Sequence, residues 1–330
     1  MRLIGKLSAV VFVLSLMCGL SNAQQNPKRV GILINGGPSP LFDSIKKNLL
    51  SDFAELGYVE GRDVVIEPRF AELKLERLPS LASELANANV DVIVALGAPA
   101  AVAAQKATST IPVIFSIVVD PIAVRLVASM EKPGNNVTGI TSLDPQQASK
   151  QFELLKEAFP GIKRVAILSD QTIPGADERG LAPIDRANEA AARALGLEPQ
   201  IVKVKSAADL EAAIATMIKG RAEALLVLEV PVPFTARKQV AELAIKNRLP
   251  AMFPGGQADA GGVITYGTSV ADTWRRFAAF ADKIFKGTNP ADIPVGVITK
   301  RELVFNLQTA QAVGATIPPE LLKRADRIVQ

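Results

Sequence analysis

Short apolar runs alternate with amphipathic stretches along almost the whole chain. Arg29–Asn35 (RVGILIN) is a continuous apolar run ending in Gly36-Gly37, the pattern of a strand buried on both faces. The next stretch, Leu41–Leu56, puts Leu41, Ile45, Leu49, Phe53 and Leu56 on one helical stripe. Further strands are predicted at Val64–Glu67, Asp91–Leu96, Pro112–Val119 and Asn136–Ile140. Helices are predicted between them at Glu76–Ala86, Pro99–Lys106 and Ile122–Met130. Pro79 falls in the first turn of its helix, where proline is tolerated.

The pattern then restarts. Lys163–Leu168 (KRVAIL) repeats Lys28–Leu33 (KRVGIL). Strands follow at Gln200–Val204, Ala224–Leu228, Pro250–Phe253, Val263–Tyr266 and Leu303–Asn306. Helices are predicted at Pro183–Leu195, Ala207–Ile218 (capped by Ser206), Ala236–Asn247 and Ala271–Phe285, with a short helix end at Ala310–Gly314. Trp274, Phe277, Ala281 and Ile284 share one apolar stripe, so Trp274 reads as core. The implied class is α/β: two doubly wound, Rossmann-like lobes joined by a multi-strand hinge. The expected division gives one lobe residues 24–142 with about 267–292, and the other 143–266 with about 293–330. Two such lobes leave a cleft between their strand C-terminal edges, the usual ligand site of open α/β sheets.

Composition narrows the chemistry. Met1–Ala23 carries Arg2 and Lys6, an apolar run from Leu7 to Leu20, and Ser21-Asn22-Ala23 before a polar break. This is the pattern of a secretory signal peptide cleaved near Ala23, which implies an exported, periplasmic protein. Cys18 is the sole cysteine, and bulky Leu16 and Met17 before it disfavour lipid attachment there. Cleavage leaves 307 residues with 35 basic and 33 acidic side chains and no thiol. Scattered charge gives no footprint for nucleic acid. The chain has no histidine, which removes histidine triads, histidine general bases and most zinc and iron sites. Neither a cofactor nor a metal is expected, and the chain reads as a monomer.

Several segments carry a resemblance. They are Val30–Asn35, Leu56–Arg62 (LGYVEGR), Arg77-Leu78-Pro79, Asp120-Pro121, Pro133–Gly139 (PGNNVTG) and Leu249-Pro250-Ala251. To these add Gly261–Gly267 (GGVITYG), Thr299–Leu307 (TKRELVFNL) and Ile317-Pro318-Pro319. Together they resemble the tryptophan-binding-protein-like family of ABC-transporter solute-binding proteins, in order across the whole mature chain. The resemblance implies a type I periplasmic-binding fold and delivery of a small solute to an inner-membrane permease with its ATPase. Characterised relatives take aromatic amino acids. Asp170–Asp177 (DQTIPGAD) departs from the family pattern by its Pro and Gly content.

The residues suggest where a ligand is held. Gly36-Gly37-Pro38-Ser39 is either a close ligand approach with free N–H groups at a helix start that attract a carboxylate, or a tight strand-to-helix turn. Gly97, Ala98 and Ala100 surround Pro99 at the start of the next helix, where free N–H groups and small side chains leave room for a ligand. Asp120 can accept a ligand ammonium, or cap the segment after it. Asp144 has capping-box spacing to Gln147 and reads as structural. In the second lobe, Ser169, Asp170 and Glu229 occupy loops expected to face the cleft, Phe234 offers an apolar wall, and Tyr266 can stack on a ring near the hinge. Tyr58 follows the first helix, at the far edge of the sheet, and reads as packing. An amino acid-like or carboxylate-bearing ligand, with an apolar or aromatic body, fits this set. The competing classes are an exported enzyme using acids such as Asp120 and Asp170, and a sensor presenting ligand to a receptor.

Overall fold

The computed structural model describes residues 26–116, 118, 120–141, 145–268 and 270–330. The signal expected at Met1–Ala23, with Cys18, and the capping residue Asp144 lie outside them. The first unit runs β1 (Lys28–Ile34), α1 (Pro40–Glu55), β2 (Val64–Phe70), α2 (Leu78–Asn87), β3 (Val92–Leu96), α3 (Ala98–Ala107), β4 (Val113–Ser116) and β5 (Val137–Thr141). The second runs α4 (Pro145–Ala158), β6 (Arg164–Asp170), α5 (Pro183–Ala194), β7 (Glu198–Val204), α6 (Leu210–Lys219), β8 (Ala224–Val227), α7 (Pro231–Thr235), α8 (Arg237–Lys246), β9 (Ala251–Phe253) and β10 (Ile264–Thr268). The remaining elements are α9 (Val270–Phe285), β11 (Gly296–Val297), β12 (Arg301–Asn306), α10 (Leu307–Ala312), α11 (Pro319–Leu322) and β13 (Arg327–Val329).

The strands form two sheets, ordered β11-β5-β4-β3-β1-β2 and β13-β12-β10-β9-β8-β6-β7. The repeated KRV segments start β1 and β6, which hold the same place in each sheet, between the second and third strands of their unit. All pairings are parallel except β10 with β12. Each sheet is apolar on both faces and covered on both. In the first lobe α2 and α3 bury one face, while α1 and α9 bury the other through Leu49, Phe53, Trp274 and Phe277. In the second, α4 and α5 pack on one face and α6 and α8 on the other. The architecture is the two-lobed α/β fold expected of type I periplasmic binding proteins.

The chain passes between the lobes three times: between β5 and α4, between β10 and α9, and between β11 and β12. The last passage lies later than the boundary near 293. Gly296 and Val297 still pair with Ile140 and Thr141 of β5, and the Val295 amide bonds to the Met130 carbonyl. Helix α9 joins the first lobe because its aromatic stripe completes that core, where Trp274 and Phe277 rings lie 5.1 Å apart.

Three local expectations are corrected. No helix forms over 122–130; one turn follows Asp120, and Arg125 at φ 59° turns the chain out of helical geometry. The freed carbonyls of Arg125 and Leu126 accept from Gln105 Nε2 instead. Leu56 is 41% exposed because α1 ends at Glu55 and Gly57 reverses the chain at φ 90°. Of the strand predicted over 112–119, Val113–Ser116 forms β4 and Pro112 and Val118 lie outside it, while 117 and 119 are not among the described residues.

Behind the cleft two backbones touch. A Cβ on Gly255 would lie 2.4 Å from both the Gly267 carbonyl carbon and the Thr268 oxygen, atoms that cannot swing aside. Gly255→Ala should therefore destabilise the protein by roughly 1–3 kcal/mol through overpacking, measured by urea unfolding. A stability equal to wild type would contradict this close approach.

Candidate functional site

The strand C-terminal edges of the two sheets enclose a cleft of about 780 Å³. That volume suits one small organic ligand. From the first lobe its walls include Phe42, Ile45 and Trp274; from the second, Ile173, Ile184 and Phe234. The lobes nearly meet at its rim. A Cβ on Gly36 would stand 3.5 Å from Thr235 Oγ1 of the other lobe, and one on Gly175 would stand 3.4 Å from Val124 Cγ1.

The loop after β1 is braced from below. Glu72 and Leu73 both sit at positive φ, 55° and 61°. Their amides donate to the Gly36 and Asn35 carbonyls at 2.9 and 2.7 Å. Two non-glycine residues in the left-handed region are costly, and such strain concentrates at functional loops. Both residues line the cleft.

Register shows how the lobes correspond. Val30 pairs with Val92, and Val165 pairs with Ala224. Counting five residues on from each, Asn35 matches Asp170 and Gly97 matches Glu229. The matched pairs do different work. Asp170 is fully buried, and its Oδ2 accepts the Val232 amide of α7 at 2.9 Å. Its Oδ1 accepts from the Thr172 amide and hydroxyl at 2.7 and 2.5 Å. The second lobe thus carries its own anion at its helix start. Asn35 instead donates Nδ2–H to the Leu96 carbonyl at 2.8 Å. Helix α3 begins at Gly97 (φ 91°) with no side-chain cap, and Pro99 occupies its first turn. The N-terminus of α3, a partial positive charge, is left facing the cleft beside Gly97 and Ala98.

Among the described residues, four buried polar atoms of the cleft residues make no hydrogen bond: Asn35 Oδ1, both amide atoms of Gln257, and Trp274 Nε1. Each such atom costs roughly 1–3 kcal/mol when unsatisfied. They belong to residues at least nine-tenths buried: Asn35 at 7%, Gln257 at 1% and Trp274 at 4% exposure. Among the described residues, no cluster of His, Cys, Asp and Glu side chains is arranged to hold a metal.

Of the twelve residues singled out from sequence, eight line the cleft: Gly36, Gly37, Ser39, Gly97, Ala98, Asp120, Glu229 and Phe234. Ser39 Oγ also caps α1 through the Phe42 amide, and Asp120 Oδ1 accepts the Ile122 and Ala123 amides at 3.1 and 2.9 Å. Glu229 is half-buried, and loss of water contact pushes its carboxyl up to about 7, against the opposing pull of Arg301. Four of the twelve do not line it. Ala100 is packed into the first lobe's core behind the helix start. Ser169 is buried and donates to Asp185, which also holds Lys203 at 3.0 Å. Asp170 turns inward to α7, as above. Tyr266 faces the second core from β10, opposite Leu303. Tyr58 lies far from the cleft, bonded to Asp282 at 2.9 Å among Phe53 and Phe285.

Sequence reasoning did not single out Asn35, Gln257 or Trp274 as site residues. The register between the KRV repeats was the signal for Asn35. Trp274 is both core and cleft wall, because its stripe ends at the sheet edge. Asp170→Ala should cost roughly 2–4 kcal/mol of stability, because a buried amide and hydroxyl lose a charged acceptor. Thermal melts test this, and a variant as stable as wild type would show that Asp170 is not a structural anion.

Residues 36–329 match the family described as ABC transporter substrate binding protein. A tyrosine-binding protein of Clostridioides difficile (strain R20291) is 25% identical over 275 residues, covering 83% of this chain and 77% of that one. A conserved domain protein from Vibrio cholerae superposes with a TM-score of 0.84 at 25% identity, covering 92% of this chain and all of that one. An ABC domain from Streptococcus pneumonia in complex with L-Trp superposes at 0.82 with 26% identity and the same coverage.

Proposed function

We propose, from the premise that this chain belongs to the ABC transporter substrate binding protein family, that it is an exported receptor for a small zwitterionic ligand with an aromatic or apolar body. Its lobes close on the ligand by a hinge motion, and the closed form delivers it to a membrane permease. The family is one of binding proteins rather than enzymes.

The observation that carries the ligand class is the asymmetry of the helix starts. The second lobe's is occupied by Asp170, so a ligand carboxylate is directed to α3 in the first lobe. Asn35 Oδ1 lies in the same loop cluster and accepts a donor from the ligand. Phe42, Trp274 and Phe234 offer surfaces for a ring, each aromatic contact worth roughly 0.5–1.5 kcal/mol. The tyrosine-binding and L-Trp-bound relatives support an aromatic body.

A thermal-shift screen of the mature protein tests the reading. L-tryptophan or L-tyrosine at 100 times its dissociation constant should add about 2.7 kcal/mol of stability. Stabilisation by sugars or metal ions alone, with no response to any amino acid, would reject it.

A further inference from the structure

Among the described residues, three acidic side chains line the cleft: Glu72, Asp120 and Glu229. Two are already engaged. Glu72 pairs with Arg77 at 2.9 Å, and Asp120 caps the Ile122 and Ala123 amides. Glu229 accepts no hydrogen bond from any described residue. It stands where the first lobe has Gly97, at the second lobe's helix start. Just beyond it, the charge of Asp170 already occupies the Val232 amide. A second carboxylate at that place gains nothing from the helix and has lost much of its water. The charged groups around it are Arg301 at the head of β12, which favours its ionised form, Arg237 and Lys238 at the start of α8, and Glu72 and Asp120 across the cleft.

We propose that Glu229 meets the ligand's ammonium group, and that binding expels a proton from Glu229 to solvent, so that affinity rises with pH across the neutral range. The inference rests on the zwitterionic-ligand reading above. In the free protein the carboxylic acid form is held by loss of water contact, with the carboxyl at about 7. An entering ammonium keeps its own proton and supplies the counter-charge, so the acid ionises and the proton leaves to bulk water. The ligand then lies between the two lobes, with its carboxylate at α3 and its ammonium at Glu229. Both lobes are needed to neutralise it. A deaminated analogue lacks the group that drives this ionisation.

Two arms of one experiment test this on the mature protein. The ligand-free arm compares melting of wild type and Glu229→Gln against pH. An acid raised above its ordinary value holds its proton more tightly folded than unfolded, so wild-type stability falls as pH rises from the ordinary carboxylate range to about 7. The variant lacks that slope, so its advantage should grow over this window; a constant difference would overturn the assignment whatever the ligand. The ligand arm uses calorimetry with L-tryptophan, L-tyrosine and indole-3-propionate in buffers of differing ionisation enthalpy. Wild type should release close to one proton per amino acid bound at about pH 6, and its affinity should rise roughly twentyfold between about pH 5.5 and 7.5. Glu229→Gln should abolish both effects and bind the amino acids roughly ten- to a hundredfold more weakly at about pH 8. Indole-3-propionate should show no proton release. Amino acid binding without proton release would overturn the inference while leaving the ligand class intact. Failure of both amino acids to bind wild type would overturn the ligand class and the linkage together.

Discussion

The bond from the Val232 amide to Asp170 decides what each lobe has left to offer a ligand. A helix start in an open α/β sheet is a ready anion site. In the second lobe the chain fills it with its own buried carboxylate. In the first lobe the matching residue is Asn35, which turns its amide to the Leu96 carbonyl and leaves α3 uncapped. Two units built on one pattern thus become chemically opposite: one presents helix N–H groups, the other presents a carboxyl, Glu229, that has no hydrogen-bonded partner among the described residues. A zwitterion spans such a pair, and neither lobe alone neutralises it. On the proposed zwitterionic reading this gives closure a driving force, because the ligand's two charges are satisfied only when both walls are in place.

The scaffold holds these groups rigidly. Each sheet is sealed on both faces, and backbones meet closely where Gly255 lies against Gly267 and Gly139 packs under Phe115. The loops carrying the polar groups are fixed by backbone bonds rather than by flexible side chains, as where Glu72 and Leu73 brace Gly36 and Asn35. The chain crosses between the lobes at three passages, one of them between β10 and α9.

Much of the fold was legible in the sequence because it depends on period and repetition. The apolar runs at Arg29–Asn35 and Lys163–Leu168, and the stripe through Trp274 and Phe277, set strands and helices that packing did not alter. Local turn chemistry misled at 122–130, where an apolar, proline-started segment has helical spacing but Arg125 leaves the helical region. At the site, sequence placed Glu229, Asp120 and the glycine turns at the strand ends, and these residues line the cleft. It could not tell whether an edge carboxylate faces the cleft or the core. Ser169 and Asp170 end the same strand, yet one bonds to Asp185 and the other to Val232. That choice depends on contacts tens of residues away. The importance of Asn35 emerged only once strand register showed it to be the counterpart of Asp170.

The most direct measurement is a crystal structure of the protein closed on L-tryptophan or on whatever zwitterion co-purifies with it. The account predicts the ligand carboxylate within hydrogen-bond distance, about 2.7–3.2 Å, of the amides that open α3, with its ammonium toward Glu229 and Asn35 Oδ1. A carboxylate seated at the start of α7, displacing Asp170 from Val232, would contradict it.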